Sequence, residues 1–421
     1  MREMKDSGIE WIGEIPADWN LKKLKHTFTI SSGTTPKSDN LEYWDGDIPW
    51  VTPADYKTED KYVYHGRKFL SEAGLNAANL QLLPVNSIIF SKRAPIGAVA
   101  ITGAKLAINQ GCISCVPAIE CDIRYYYFIL SIYTEQFNLL GSGTTFKEIS
   151  SKDFGNFTVP APSVSVQEKL ADYLDRKCSQ IDAIIARQQE VIEKLKAYKL
   201  SVITEAVTKG LNPDVPMKDS GVEWIGKIPE HWKVMKFGRC AMVKSNLVNP
   251  DDYADYPQIS PDSIEKNSGR IFEYKTVKES GVISWNHLFF QGQIIYSKIR
   301  PMLNKVAIAP FDGLCSADMY PIETSNNAQF LVYMMLSDCF TSQVGLVTEN
   351  RVKMPKINQN ELNAIMVVIP PRSEQEIISK YLQKECFLID ARIDRKQKLV
   401  GKLIDYKKSL IYEVVTGKKE V

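Results

Sequence analysis

The chain has 421 residues, 44% hydrophobic and 24% charged, with a formal net charge of +2; these values fit two or three soluble domains with sizeable cores. Residues 1–6 (MREMKD) contain no apolar signal core, and no run of about 18 apolar residues occurs, so a cytoplasmic protein without a membrane partner is expected, its eight cysteines free thiols. The near-neutral total neither demands nor excludes nucleic acid, because a basic surface can be local.

In chain order, the first distinctive segment is MKDSGIEWIGEIPADW at 4–19, which returns at 217–232 as MKDSGVEWIGKIPEHW, identical at 12 of 16 positions. A polar loop follows at 31–47, with Thr34, Thr35 and Lys37 beside Tyr43 and Trp44. Short β-rich runs are predicted at 86–91, 97–102 and 112–116, with counterparts at 293–297, 305–309 and 365–369. Ser91-Lys92-Arg93-Ala94-Pro95-Ile96-Gly97 leaves the first of these runs, and Ser297-Lys298-Ile299-Arg300-Pro301 leaves its copy. Residues 122–139 and 327–343 are predicted helical, their aromatics core rather than binding platform. Polar loops at 141–152 and 348–356 close each domain. Arg, Lys, Asn and Gln reach base edges, while Ser, Thr and Gly backbones hold phosphates, yet such loops are also common as plain solvated surface.

After the proline pair Pro160/Pro162, residues 167–208 contain neither Pro nor Gly and are rich in helix formers. They align without gaps on 375–416, which follow Pro370-Pro371, with 20 of 42 positions identical. Steps of four and three residues pick out Leu174, Cys178, Ile181, Ile185, Gln188, Ile192, Leu195, Lys199, Val202 and Ala206. The same register in the copy gives Leu382, Cys386, Ile389, Ile393, Lys396, Val400, Leu403, Lys407, Leu410 and Val414. This is a coiled-coil-like seam, with Ser165 and Ser373 as expected N-caps. At ~1.5 Å per residue each helix would be a rod of about 60 Å, and two such rods in one chain most simply pair antiparallel. The bland alternative is that each helix packs on its own domain. The expected fold is mixed α/β (α+β), an internal repeat with a pseudo-twofold: domains at 1–162 and 213–371, long spacer helices at 163–212 and 372–421.

No catalytic constellation is found. GxxxxGK[ST], GxGxxG and [DN]PP[YF] motifs are missing, and His26, His65, His231 and His287 are isolated. Cys112, Cys115 and Cys121 resemble half a zinc site but lack a second pair, so no metal is expected. Pro261-Asp262 with Glu273 and Lys275 imitates a metal-dependent nuclease, a short pattern that arises readily by chance.

The duplicated leading segments, Gly33-Thr34-Thr35-Pro36, the Ser91–Gly97 segment, Asn109-Gln110-Gly111-Cys112, and Gln167-Glu168 or Gln375-Glu376 opening long helices resemble, in that order, the specificity subunit of type I restriction–modification systems. The second domain departs from the pattern, with Ser245-Asn246-Leu247 for the glycine–threonine run and no Asn-Gln-Gly-Cys. The resemblance implies two target-recognition domains that read a bipartite double-stranded DNA site, one half each. It implies a helix pair that sets their spacing and docks two methyltransferase (M) subunits. Those partners would use S-adenosylmethionine on a flipped-out adenine, and restriction/translocase (R) subunits would use ATP and Mg²⁺; this chain would bind no cofactor. Candidate DNA contacts are Thr34, Thr35, Lys37, Lys92, Arg93, Lys105 and Lys147 in the first domain. In the second they are Asn246, Lys298, Arg300, Lys305, Asn350, Arg351 and Lys353. A coiled-coil adaptor that binds proteins is the alternative reading.

Overall fold

A computed structural model describes residues 2–93, 95–143, 147–349, 351 and 355–421. The chain divides into two compact units, Met1–Arg187 with Leu399–Val421, and Gln188–Lys398.

In unit 1, the leading segment is a hairpin of Met4–Asp6 and Glu14–Pro16. Its Ile12, Ile15 and Trp19 are buried. A five-stranded sheet orders Phe28–Ser32, Cys112–Pro117, Ile88–Ser91, Val99–Thr102 and Tyr62–Val63, antiparallel except for the last pair. A three-stranded sheet sets Trp44–Val51 between Ala107–Ile108, parallel to it, and Lys68–Leu70, antiparallel. Cys112 and Cys115 are three residues apart on one strand, so their side chains leave opposite faces and join different cores. Burial pushes the Cys112 thiol up to about 12.

Unit 2 repeats this plan with the hairpin Met217–Asp219/Lys227–Pro229. A four-stranded sheet follows (Met242–Val243, Met319–Glu323, Ile294–Ser297, Val306–Ile308). Its second sheet again pairs strands in parallel, Pro257–Ile259 beside Gly313–Cys315, and adds Asn286–Phe289 and Leu247–Val248 at one side.

One expectation about counterparts is corrected. The partner of Cys112–Pro117 in the repeat is Met319–Glu323, because each pairs with the strand that ends in Ser-Lys. Met366–Ile369 instead mirrors Thr158–Ala161, both pairing with the strand after the hairpin. The predicted helices at 122–139 and 327–343 are each two helices. Ile123–Ile132 is capped by Asp122 and breaks at Tyr133 before Thr134–Leu140. Ala328–Leu336 is capped by Asn327 and breaks at Ser337, whose backbone is extended, before Asp338–Thr348. Among the described residues no single helix is long and apolar enough to cross a membrane.

The long helices run Val164–Lys209 and Arg372–Val415, so Ser165 and Ser373 lie inside the first turns rather than at the caps. The residues that tie down these ends are Gln167 and Gln375, both buried. Gln167 donates to Pro162 O (2.8 Å) and accepts from Asp122 N (3.0 Å). Gln375 donates to Pro370 O (2.8 Å) and accepts from Asn327 N (2.9 Å). Each glutamine therefore satisfies backbone groups that burial would otherwise leave unpaired.

The seam is present in both units. Leu174, Ile181 and Leu410 are buried in unit 1, with Ile185 and Leu403 against them and Val400 half-buried. Leu382 is buried in unit 2 with Val202 packed nearby, and Ile192, Ile389 and Ile393 form a cluster with Leu195. Burying each such side chain contributes about 1.5–3 kcal/mol. The two polar seam positions explain themselves. Gln188 accepts from Lys396 (2.8 Å), and Lys199 grips Asp390 (2.8 Å), a register that runs antiparallel. In unit 1 the repeat of that ion pair joins Lys407 to Asp182 (2.6 Å).

Candidate nucleic-acid interface

In unit 1 the C-terminal ends of Phe28–Ser32 and Ile88–Ser91 flank the start of Cys112–Pro117, so three loops leave one end of one sheet. The 33–36 loop must lie close to the neighbouring chain: a Cβ on Gly33 would meet Ile108 O at 1.9 Å, so only glycine fits. Thr34 Oγ1 donates to Ala78 O (2.9 Å), and the Thr35 hydroxyl donates to the Gln110 side chain. Asn109 Oδ1 accepts from Gly111 N (2.9 Å), an Asx turn, and Gly111 O accepts from Lys92 N (2.9 Å). Lys92 Nζ binds Glu148 (2.9 Å) and reaches Ser32 Oγ (3.3 Å), and Arg93 shares the same carboxylate (3.4 Å). Lys92 beside it holds the Glu148 carboxyl below its usual range, with Arg93 adding to the effect.

Thr34, Thr35, Lys92, Arg93 and Lys147 thus belong to the loops of this sheet end, and Lys37 is exposed on the 33–40 loop. Lys105 is not brought there by the sheet. It follows Val99–Thr102, whose C-terminal end faces the start of Ile88–Ser91 rather than its Lys92 end. Gln110, Ser32 and Ser151 (Ser32 Oγ to Ser151 Oγ 2.8 Å) were missed by sequence reasoning. Only the Asn-Gln-Gly turn signalled the first of them.

Unit 2 builds the same end with other side chains. Lys298 N donates to Asp318 O (3.0 Å), and Ile357 N donates to Lys298 O (2.9 Å), as Ile149 N does to Lys92 O (3.1 Å). The missing Asn-Gln-Gly-Cys has a counterpart in Ser316-Ala317-Asp318-Met319. There Ser316 Oγ accepts from Asp318 N (3.2 Å), and Met319 N closes on Ser316 O (2.9 Å) as Cys112 N does on Asn109 O (3.1 Å). A hydroxyl replaces an amide in the same turn, a substitution that sequence matching cannot see. Isolated bridges pair Arg93 with Glu148 and Ile299 with Lys356, so the position of Glu148 carries Lys356, which pairs with Asp318 (2.9 Å). Lys298 Nζ lies over the Tyr320 ring at 5.3 Å. Arg300 is exposed in a left-handed conformation (φ +46°). Lys305 is held by Pro261 O (2.7 Å) and Asp262 (3.2 Å), and Arg351 folds back on Glu361. Asn246 is exposed. Asn350 and Lys353 lie outside the described residues.

Burial pushes the pKa of His287 down, with a smaller contribution from Lys298. Asp262 is the partner of Lys305, and among the described residues no group of three His, Cys, Asp or Glu side chains could hold a metal. What both ends offer is cations, hydroxyls and amides on turns, groups suited to phosphates and base edges.

The family model for the type I restriction modification DNA specificity domain matches residues 16–194 and 229–396. The EcoDI specificity subunit of Escherichia coli is 29% identical, over 88% of this chain and 82% of its own. The MjaIX specificity subunit of Methanocaldococcus jannaschii is 27% identical, over 97% and 95%. A solved chain from work on complex assembly and conformational transition of the type I R-M system shares the fold, with TM-score 0.71 and 12% identity over 96% of this chain and 99% of that one. With two matches that together span most of its length, the chain belongs to the type I restriction–modification DNA specificity family and carries the family's domain twice.

Proposed function

We propose that this chain is the non-catalytic, cytoplasmic DNA-recognition subunit of a type I restriction–modification complex, each unit reading one half of a bipartite double-stranded target. The observation that carries this reading is one loop scaffold built twice at a sheet end, with different side chains on each copy. Identical readers would bind two identical words; divergent ones bind two different words. The adaptor alternative gives no reason for a DNA specificity domain in both units.

In this reading the helix pair fixes the spacing of the half-sites and docks two methyltransferase subunits. Those partners bring S-adenosylmethionine for methylation of adenine N6, and restriction/translocase subunits bring ATP and Mg²⁺. Thr34, Thr35, Lys37, Lys92, Arg93 and Lys147 serve the first half-site, and Lys105, which the strand pairing places away from that sheet end, is left out of it. Asn246, Lys298, Arg300, Lys305, Asn350, Arg351 and Lys353 serve the second. The test is a gel shift of the chain with its methyltransferase subunit on duplexes altered in one half at a time. Arg93→Ala is expected to weaken binding through the first half-site only; equal sensitivity to both halves would overturn the assignment.

A further inference from the structure

The leading hairpin is the most faithfully repeated part of the chain, and its own folding explains ten of its twelve identities. Lys5 and Lys218 each donate to a backbone carbonyl across the hairpin, of Ala17 and Glu230. Asp6 and Asp219 each accept from the glycine two residues on, both at 2.9 Å. Ser7 and Ser220 close the next turn, accepting from Ile9 N (3.2 Å) and Val222 N (3.1 Å). Gly8, Gly13, Gly221 and Gly226 all have φ near +70°, the left-handed region that favours glycine. Met4 pairs with Pro16 and Met217 with Pro229. Ile12, Ile15 and Trp19, like Ile225, Ile228 and Trp232, are core.

Glu10-Trp11 and Glu223-Trp224 are left over. Both glutamates are exposed and form no ion pair among the described residues. Trp11 stacks on Phe157 (5.8 Å) yet remains 38% exposed, and Trp224 is 44% exposed. Each indole is thus packed on one side and open to solvent on the other, and the two units repeat this arrangement beside the same carboxylate. In unit 2, Trp224 borders a groove of about 490 Å³ with Leu346, Val347 and Ile365 as apolar walls, and Glu223 and Glu361 at its edge.

We infer that the Glu-Trp pair of each hairpin is a docking point for one protein partner present in two copies. Repetition sets the number: the same exposed pair on both units, beside diverged readers, fits two identical partners. Charge points to the class, because a carboxylate beside the indole disfavours phosphate and favours a cationic protein segment over DNA. The matching segment carries an aliphatic side chain for the indole and a lysine or arginine for the glutamate. Trp is a frequent anchor of such interfaces. The inference rests on the reading above, which makes this partner the methyltransferase subunit, and it adds contacts outside the long helices.

The experiment is native mass spectrometry of the full chain co-purified with its methyltransferase subunit. The unaltered chain is expected to carry two partners. Trp11→Ala with Glu10→Lys is expected to weaken one docking event at least tenfold, as is Trp224→Ala with Glu223→Lys, and all four changes should weaken both. Should the tryptophan variants fail to fold by circular dichroism, Glu10→Lys and Glu223→Lys alone, at exposed sites, are each expected to weaken one docking event at least tenfold. Two partners held at unchanged affinity in the folded variants would overturn this inference alone. No partner on the unaltered chain would overturn the reading on which it rests.

Discussion

The two sheet ends share a backbone and differ in charge. In unit 1 the two cations that leave the strand, Lys92 and Arg93, are both spent on Glu148. In unit 2 the position of Glu148 is a lysine, Lys298 lies over an aromatic ring, and Asp318 is taken by Lys356. The long helices differ in the opposite sense: their sequences repeat closely, and so do their contacts. The side chains that bind one another across the seam have been kept alike, whereas those that face outward at the sheet ends have been free to change. Unit 1 ties both strand-end cations to one carboxylate, whereas unit 2 leaves Arg300 exposed and sets Lys298 over a ring.

The largest effect that would break this comparison concerns the repeated ion pairs. Lys199 is almost fully buried (7%) against Asp390 (24%), while Lys407 (24%) and Asp182 (53%) are more open. Lys199→Met leaves a half-buried aspartate unpaired and is expected to cost about 3–5 kcal/mol. Lys407→Met is expected to cost about 1 kcal/mol or less. Denaturant melts of the two variants decide this; equal losses would show that the two copies are equally buried in solution.

The next effect sharpens the contrast between readers. Glu148→Lys converts unit 1 to the arrangement of unit 2 and releases Lys92 and Arg93 toward phosphate. Affinity for DNA is expected to rise, and its dependence on log salt to steepen by about 0.9 for each additional phosphate neutralised. Lys356→Glu is expected to do the reverse at the second half-site. Titration at several salt concentrations reads both, and an unchanged slope would show that these groups do not meet phosphate. In the unaltered chain Glu148 titrates below the ordinary glutamate range. Its hold on Lys92 is therefore present above about pH 4.5 and is lost only as pH falls through the lowered value.

The smallest effect separates the units by pH. His287 is buried in unit 2 with its pKa lowered, whereas His26 and His65 of unit 1 are exposed. A histidine of lowered pKa binds its proton first in the unfolded chain, so stability falls as pH drops from about 6.5 toward the folded value. Hydrogen exchange between about pH 7 and 5.5 should therefore show faster opening of unit 2. His287→Gln should remove the difference, and a drop confined to unit 1 would contradict the assignment.

The helices were legible in the sequence because a seam of apolar residues has a period, and the repeat doubled the signal. The cross-seam pairing of Lys199 with Asp390 was not, although both residues stood in the aligned repeat, because pairing depends on direction and register together. At the sheet ends, Gly33 and Asn109 could be read only through the resemblance, and the structure supplies their reason: a close approach and an Asx turn that restrict the residue type. The Ser316 turn was invisible, since a hydroxyl there makes the same bond with no shared letters. Lys105 looked equivalent to Lys92 in composition, and only the antiparallel pairing of its strand separates the two. Counting cations also failed to show which are already paired, as Lys305 and Arg351 are.

The most direct test of two independent readers in one chain is genome-wide mapping of methylated adenines in cells that carry the chain and its methyltransferase partner, with native Glu148 and with Glu148→Lys. The expected result is a motif of two short words at one fixed separation, with tolerance altered in one word only by the substitution. A single continuous word, or equal change in both words, would contradict the account.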